Sequence, residues 1–253
     1  MTGMIELPAA ISPNLAKEID ALARDYRRAT GPLMALMQRL GGRVEQQFDR
    51  LPAPIRQHIE RVIVAALTTA HHLAAKTEDG PELGRSGVML AAVASGAAGG
   101  SGGLATSLVE LPVTVSVFLH AIRAEARAAG FDPDAAGIRA ACLEVFSAAT
   151  PLREDDGMNT AFLSARLAVT GSGLQKLIAT LAPRLATILG QKLAAQTVPV
   201  LGAASGAAIN AAYLRYFREI ARIRFALMRL AQTHGGEAVT AAFSRAIVQR
   251  ITS

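Results

Sequence analysis

Two long stretches without a charged residue, 87–109 and 193–214, constrain what this chain can fold into. Both are rich in Gly and Ala, and both contain the pentapeptide Ala-Ser-Gly-Ala-Ala, at 94–98 and at 204–208. Small side chains let helix backbones approach closely, and glycines spaced four residues apart form a face suited to such contact. We therefore expect two buried helical segments packed against each other. The glycines expected at this contact are Gly96, Gly100, Gly202 and Gly206.

The same two segments raise the question of membrane insertion. Each exceeds the roughly 20 residues that a spanning helix requires. Their composition argues against insertion, because Ala, Gly and Ser contribute little to the transfer of a helix into hydrocarbon. The mean hydropathy of +0.30 is inflated by Ala in the same way. A buried hairpin inside a soluble domain is the preferred interpretation.

The rest of the chain indicates an all-α fold, a single multi-helix bundle. Apolar residues recur at helical spacing, and alternation of polar and apolar residues over the length of a strand is hard to find. Local stop signals are expected at Gly31-Pro32, at the paired glycines of 99–103 and at Gly130, with Pro112 near a helix start. The predicted helices cover two segments within 14–47, then 55–76, 113–129, 135–149, 158–170, 173–195, 199–231 and 236–250. We expect an N-terminal helical extension at 1–43, a main helical domain at 44–234 and a short C-terminal helix at 235–253.

Charge and cysteine content narrow the possible partners. The net charge is +6, and all but four of the 26 basic residues are arginine. Such a balance favours anionic partners, although an Arg- and Ala-rich composition can also follow from a GC-rich genome. The single cysteine, Cys142, lies in an apolar run and is expected to be a buried structural thiol. Because residues 1–13 lack a basic segment followed by an apolar one, no signal peptide is predicted and a cytoplasmic location is expected.

A basic stripe is the most interpretable surface feature of the sequence. Four arginines fall at offsets 0, 3, 7 and 14 on one face of a predicted helix, with the aromatic and aliphatic residues largely on the other side. Such a face could rest on an anionic bilayer surface. The alternative is an ordinary solvated face in which Glu219 forms helix-spaced ion pairs of little energetic value. The four residues are Arg215, Arg218, Arg222 and Arg229.

Several of these features together resemble the EcsC-like family of bacterial proteins. The matching features are the Gly-rich run 96–103 leading into Glu110-Leu111-Pro112, the turn Gly130-Phe131-Asp132-Pro133, the segments Val198–Gly202 and Gly206–Asn210, and the basic, aromatic-containing close Arg218–Arg229. The similarity covers roughly residues 44–234. Glu110 stands where the family more often has Asp, and Ala129-Gly130 stands where it often has Tyr-Gly. The resemblance implies a helical fold and no assigned biochemical role, since the family is named only after the third member of an operon that encodes an ABC transporter.

Three polar residues are candidates for a ligand or structural polar site. Glu110 and Asn210 are nearly surrounded by apolar sequence, and each lies at or just beyond one of the Gly-rich segments. Since buried polar groups are costly unless paired, contact between the two would explain their presence. Glu110 could equally cap the helix that contains Pro112. Asp132 is the third candidate, at the mouth of a pocket between the two Gly-rich segments.

Other chemistries find little support in the sequence. His71, His72 and His120 lack the i,i+3 or i,i+4 spacing of metal ligands on one helix, so no metal site is expected. The run from Gly100 to Ala105 loosely matches a dinucleotide fingerprint but lacks its βαβ context, and no P-loop, nucleophile elbow or nucleic-acid-binding motif is visible. We expect no catalytic residues and no cofactor.

The sequence thus favours a non-enzymatic, cytoplasmic helical protein. It is expected to associate peripherally with the inner face of the cell membrane, through an anionic lipid surface or a membrane-protein partner. Nucleic acid is not an expected partner, and a homo-oligomer is compatible with the Gly faces. The alternative is an enzyme or a carrier of small ligands or lipids, with its pocket between the Gly-rich segments.

Overall fold

In a computed structural model, the chain folds as packed α-helices. The structure describes residues 12–40, 84–101, 103–147 and 202–248, together with scattered positions between 52 and 68. These residues contain no strand, which confirms the all-α prediction. The helices with defined bounds are α1 (Pro13–Leu40), α2 (Arg85–Ser101), α3 (Gly103–Ala128), α4 (Ala136–Ser147), α5 (Gly202–His234) and α6 (Gly236–Val248). The predicted helices at 158–170 and 173–195 lie outside the described residues.

Helix α5 is the central element of the described fold. It packs against α1, α2, α3, α4 and α6, while α2 also packs on α3 and α1 on α6. One side of α5 is lined by buried aromatic and aliphatic residues, including Phe217, Ile220 and Phe225. Helices α1 and α6 therefore both lie directly on α5.

The core combines two kinds of packing. Near the middle of α5, Phe217 lies 5.1 Å from the Phe118 ring and 4.9 Å from the Phe146 ring, centroid to centroid. Toward its N-terminal end, α5 meets α2 through Gly and Ala. Aromatic pairs of this kind add to the burial of their apolar area. The close packing through small side chains expected of the Gly-rich segments is therefore found where α2 meets α5.

Two predicted helix interruptions are wrong. Helix α1 continues through Gly31-Pro32, and α3 begins at Gly103 and contains Pro112 in its interior. A proline inside a helix removes one backbone hydrogen bond and costs about 3 kcal/mol. Both helices are long and pack along α5, so their tertiary contacts outweigh this local cost.

The end of α3 follows its sequence signal. Gly130 has φ of +86°, the left-handed conformation that favours glycine. The Phe131 amide donates to the Ala126 carbonyl at 3.0 Å and the Gly130 amide to the Arg127 carbonyl at 2.9 Å. These are the two hydrogen bonds of a Schellman motif, which satisfies the last carbonyls of a helix.

Candidate functional site

A buried polar cluster lies where α2, α3 and α5 meet. It consists of Ser95 on α2, Glu110 and Thr114 on α3, and Asn210 on α5. Asn210 and Thr114 are fully buried, and Glu110 is 6% exposed. The cluster joins both Gly-rich segments, although its members are up to 115 residues apart in the chain.

Asn210 holds the cluster together as a hydrogen-bond donor. Its Nδ2 lies 3.0 Å from the Ala92 carbonyl oxygen, 3.1 Å from Ser95 Oγ and 3.0 Å from Glu110 Oε1. Thr114 Oγ1, 3.4 Å from the same nitrogen, donates to Glu110 Oε1. One amide side chain thereby connects three helices. It also provides hydrogen bonds to buried acceptors, each of which would cost about 1–3 kcal/mol if it were left without one.

The position of Glu110 corrects one of the two interpretations offered for it. Glu110 lies in the interior of α3, so it does not cap a helix. It accepts a hydrogen bond from Asn210 instead. The two polar residues at the edges of the Gly-rich segments are therefore in direct contact.

The backbones of α2 and α5 touch next to this cluster. A Cβ atom built on Gly96 would lie 2.7 Å from the Gly206 carbonyl carbon and 2.8 Å from Asn210 Nδ2. Gly96 and Gly206 are thus brought together. Gly100 and Gly202 lie in α2 and α5, and their surroundings fall outside the described residues. The crossing has no room at Gly96 for even a methyl group.

This geometry has a clear chemical meaning. The cluster contains one carboxylate, two hydroxyls and one amide, and the Thr114 hydroxyl donates to the Glu110 carboxylate. Asn210 Oδ1 has no hydrogen-bond partner among the described residues. The arrangement fixes the relative position of three helices.

Asp132 does not share this site. It is exposed and accepts a hydrogen bond from the Asp134 amide at 2.8 Å, as in a turn before a helix. Glu110 lies about 27 Å from the end of α3, at 1.5 Å per residue. Asp132 follows that end, and its role in the described structure is to shape the loop into α4.

The predicted arginine stripe is divided by its contacts. Arg222 Nη2 lies 2.6 Å from Asp25 Oδ2 on α1 and also pairs with Glu219. The hydrogen bond to Glu219, with a further one to Asp25, raises the pKa of Arg222. Arg222 is therefore engaged within the protein, as the solvated-face alternative anticipated for Glu219.

Two other members of the stripe, Arg218 and Arg215, lie close to arginines of other helices. Arg218 Nη2 donates to the Arg85 carbonyl at 3.2 Å, and burial, with the nearby Arg85 charge, lowers the pKa of Arg218. Arg85 is itself exposed and pairs with the buried Glu125 at 2.8 Å. Arg215 is exposed and lies one helical turn before Arg218.

A groove between α1 and α5 connects Arg215 to Arg28. Its volume is about 370 Å³. Its lining residues are Asp25, Arg28, Ala29, Ala212, Arg215, Tyr216 and Glu219. We call the resulting patch of Arg28, Arg85, Arg215 and Arg218 the arginine surface. Arg229 lies about 21 Å along α5 from Arg215 and does not belong to it.

Sequence reasoning missed two members of the arginine surface. Arg28 and Arg85 belong to helices far from α5 in the sequence, and no spacing rule connects them with Arg215. The stripe predicted the α5 members of the surface. Its partners became visible only through the packing of α1 and α2 on α5.

The solvent-facing side of α2 carries no charge. Leu90 is 69% exposed, and Ala94 and Ala98 repeat the same position on the next two turns. Arg85, at the helix start, is the only charged residue of α2. We call Leu90, Ala94 and Ala98 the α2 face. An exposed helix face normally carries charged or polar side chains, so this one is unusual for contact with water alone.

The described residues contain neither a cluster of metal-binding side chains nor a helix suited to cross a membrane. In the part of the chain that the structure describes, no group of three or more His, Cys, Asp or Glu side chains is placed to hold a metal ion. His71 and His72 lie outside that part. Within the described ranges, no helix is both long and apolar enough to cross a membrane.

Comparison with known proteins gives one match. A model of the EcsC protein family matches residues 84–230. No curated protein and no solved structure matches the chain. The matched range contains the whole buried polar cluster, the α2 face and all of the arginine surface except Arg28.

Proposed function

This chain belongs to the EcsC protein family, and from that premise we propose that it is a non-enzymatic helical protein that associates peripherally with an anionic membrane surface. On this proposal the protein lies in the cytoplasm, at the inner face of the cell membrane. One observation carries it: the arginine surface adjoins the uncharged α2 face through Arg85, which begins that helix.

The two surfaces supply complementary interactions with a bilayer. Exposed arginines near anionic headgroups contribute on the order of 1 kcal/mol each. Binding becomes more favourable when an exposed leucine enters the boundary between headgroups and acyl chains, because its apolar surface leaves water. Arg28 and Arg85 side chains are 81% and 75% exposed, so both can reach such a surface. The combination supports surface attachment more than burial in hydrocarbon.

The alternative of an enzyme or carrier receives less support. Its pocket was expected between the Gly-rich segments, but Gly96 lies against the Gly206 backbone and leaves no space there. The polar side chains at that crossing bond to one another. A ligand at this point would have to separate α2 from α5.

Vesicle sedimentation of the full chain tests the proposal. We expect the protein to sediment with vesicles of phosphatidylcholine mixed with phosphatidylglycerol, and to remain in solution with phosphatidylcholine alone. Binding is expected to fall between 0.1 and 1 M salt, because the screening length decreases from about 10 Å to about 3 Å. Absence of any salt-sensitive sedimentation would sink the proposal.

A pair of substitutions tests the role of the α2 face. Leu90→Glu places a negative charge on that face and is expected to weaken sedimentation severalfold. Ala241→Glu adds the same charge at an exposed position of α6 and serves as the matched control. Equal loss in both variants would mean that total charge alone governs binding. Retention on cell membranes without binding to vesicles would point to a membrane-protein partner instead.

A further inference from the structure

We infer that the groove between α1 and α5 binds a phosphate ester, with Arg28 and Arg215 as its anion-binding side chains. This inference rests on the proposed membrane association, which would supply the ester as the headgroup of an anionic lipid. It adds a defined site to what is otherwise a general charge attraction. A soluble phosphate ester has the same chemistry and is the other source to be distinguished.

The groove has the dimensions of a small-ligand site. Its volume of about 370 Å³ falls within the range usual for pockets that bind small molecules. Ala29 and Ala212 contribute apolar surface to its lining, which suits the carbon atoms of a glycerol unit. Polar side chains from both helices surround this surface.

Two arginines in the groove are available for an anion. Arg28 is 81% exposed and has one weak contact, 4.0 Å from Asp25. Arg215 is exposed, and no hydrogen bond or ion pair links it to another described residue. A guanidinium group binds phosphate oxygens through two parallel N–H donors, which makes arginine well suited to this ligand.

The two carboxylates in the groove are already engaged. Arg222 contacts Asp25 at 2.6 Å and also pairs with Glu219. Both carboxylates therefore have a cationic partner inside the protein. Arg28, Arg215 and Arg222 together face these two carboxylates. The net charge of the region is therefore positive before an anion enters.

Tyr216 provides a third donor. It lines the groove and is 4% exposed. Burial raises the pKa of Tyr216, so its hydroxyl remains protonated and able to donate near neutral pH. A phosphate oxygen in the groove would accept a hydrogen bond from this hydroxyl.

Titration with soluble probes tests the site in the full chain. The probes are dihexanoyl-phosphatidylglycerol below its critical micelle concentration and glycerol 3-phosphate, each followed by isothermal titration calorimetry. We expect Arg28→Gln combined with Arg215→Gln to weaken binding about tenfold or more, and Tyr216→Phe about fivefold. Arg24→Gln, at an exposed position one turn before Arg28, is the matched control and should bind like the wild type.

The outcomes separate this inference from the proposed function. The inference is overturned if the groove variants bind with wild-type affinity or if neither probe binds. In either case the protein can still sediment with vesicles, and the proposed membrane association is unaffected. Binding of the probes with the expected variant pattern supports it, even if vesicles fail to sediment the protein. Preference for the lipid identifies a headgroup as the source, whereas equal affinity for glycerol 3-phosphate identifies a soluble ester. Circular dichroism melting of each variant confirms that the fold is retained.

Discussion

Gly96 has no room for a side chain. In Gly96→Ala the new methyl group would overlap the Gly206 backbone and Asn210 Nδ2. Overpacking of this kind costs typically about 1–3 kcal/mol, and the obstacle here is largely backbone. We expect the free energy of unfolding to fall by at least that amount in urea denaturation followed by circular dichroism.

A matched glycine shows what the same substitution does without the contact. Gly31 lies inside α1, and nothing lies within 4 Å of a Cβ built there. Gly31→Ala should raise the free energy of unfolding by up to about 1 kcal/mol, because alanine favours the helix. If Gly96→Ala is as stable as the wild type or more stable, α2 and α5 do not cross as closely as the Gly96 contact requires.

Cys142 illustrates how burial controls reactivity at a single residue. It is 2% exposed, and burial raises the pKa of its thiol to about 12. The thiolate is the reactive form, so at pH 8 the native thiol should react with a disulfide reagent far more slowly than a free cysteine. Labelling should become rapid in denaturant, where the thiol is exposed and its pKa returns to its ordinary value. Rapid native labelling at pH 8 would contradict the buried position.

At the scale of the element, Gly130 determines how α3 ends. Gly130→Ala forces a side chain into the left-handed conformation at φ of +86°, with an expected cost of about 1–2 kcal/mol in the free energy of unfolding. Arg123 reinforces the same turn, since it donates to the Pro133 carbonyl at 3.0 Å and pairs with Asp134. Chemical denaturation measures the effect.

Gly84 provides the control for that substitution. It precedes α2, has no positive φ, and has nothing within 4 Å of an added Cβ. Gly84→Ala should leave stability within about 0.5 kcal/mol of the wild type. A similar loss at both glycines would show that left-handed strain is not the cause.

The helices that were predictable from sequence are those whose ends follow local chemistry. α4 and α6 begin and end within a few residues of their predicted bounds, and Gly130 ends α3 as expected. The predictions at Pro32 and Pro112 were wrong because a proline indicates only a local break in a helix. α1 and α3 make enough contact with α5 to continue through their prolines. Long-range packing is not encoded in the spacing around one proline.

At the scale of the whole molecule, the question is whether a located surface or total charge governs binding. Replacing Arg28, Arg85 and Arg215 together by Gln should greatly reduce sedimentation with anionic vesicles. Replacing the exposed Arg61, Arg229 and Arg245 by Gln removes the same three charges from the net +6 and should reduce it far less. Equal loss in the two triple variants would assign binding to non-specific attraction.

The candidate site was only partly predictable from sequence, because several of its contacts join different helices. Hydrophobicity marked Glu110 and Asn210 as polar residues in apolar sequence, and the structure brings them into contact. Helical spacing marked Arg215 and Arg218, but it could not reveal that Asp25 engages Arg222 or that Arg28 shares a groove with Arg215. Those relations depend on how α1 lies on α5. Patterns within one helix do not contain that information.

The contact between Gly96 and Gly206 also has a mechanical consequence. Side chains can rotate to absorb a small displacement, but two backbones in contact cannot. α2 and α5 are therefore expected to tilt together. α5 has 33 residues, is about 50 Å long and also packs on α1, α3, α4 and α6, so a tilt of α2 would disturb the packing of each of these helices.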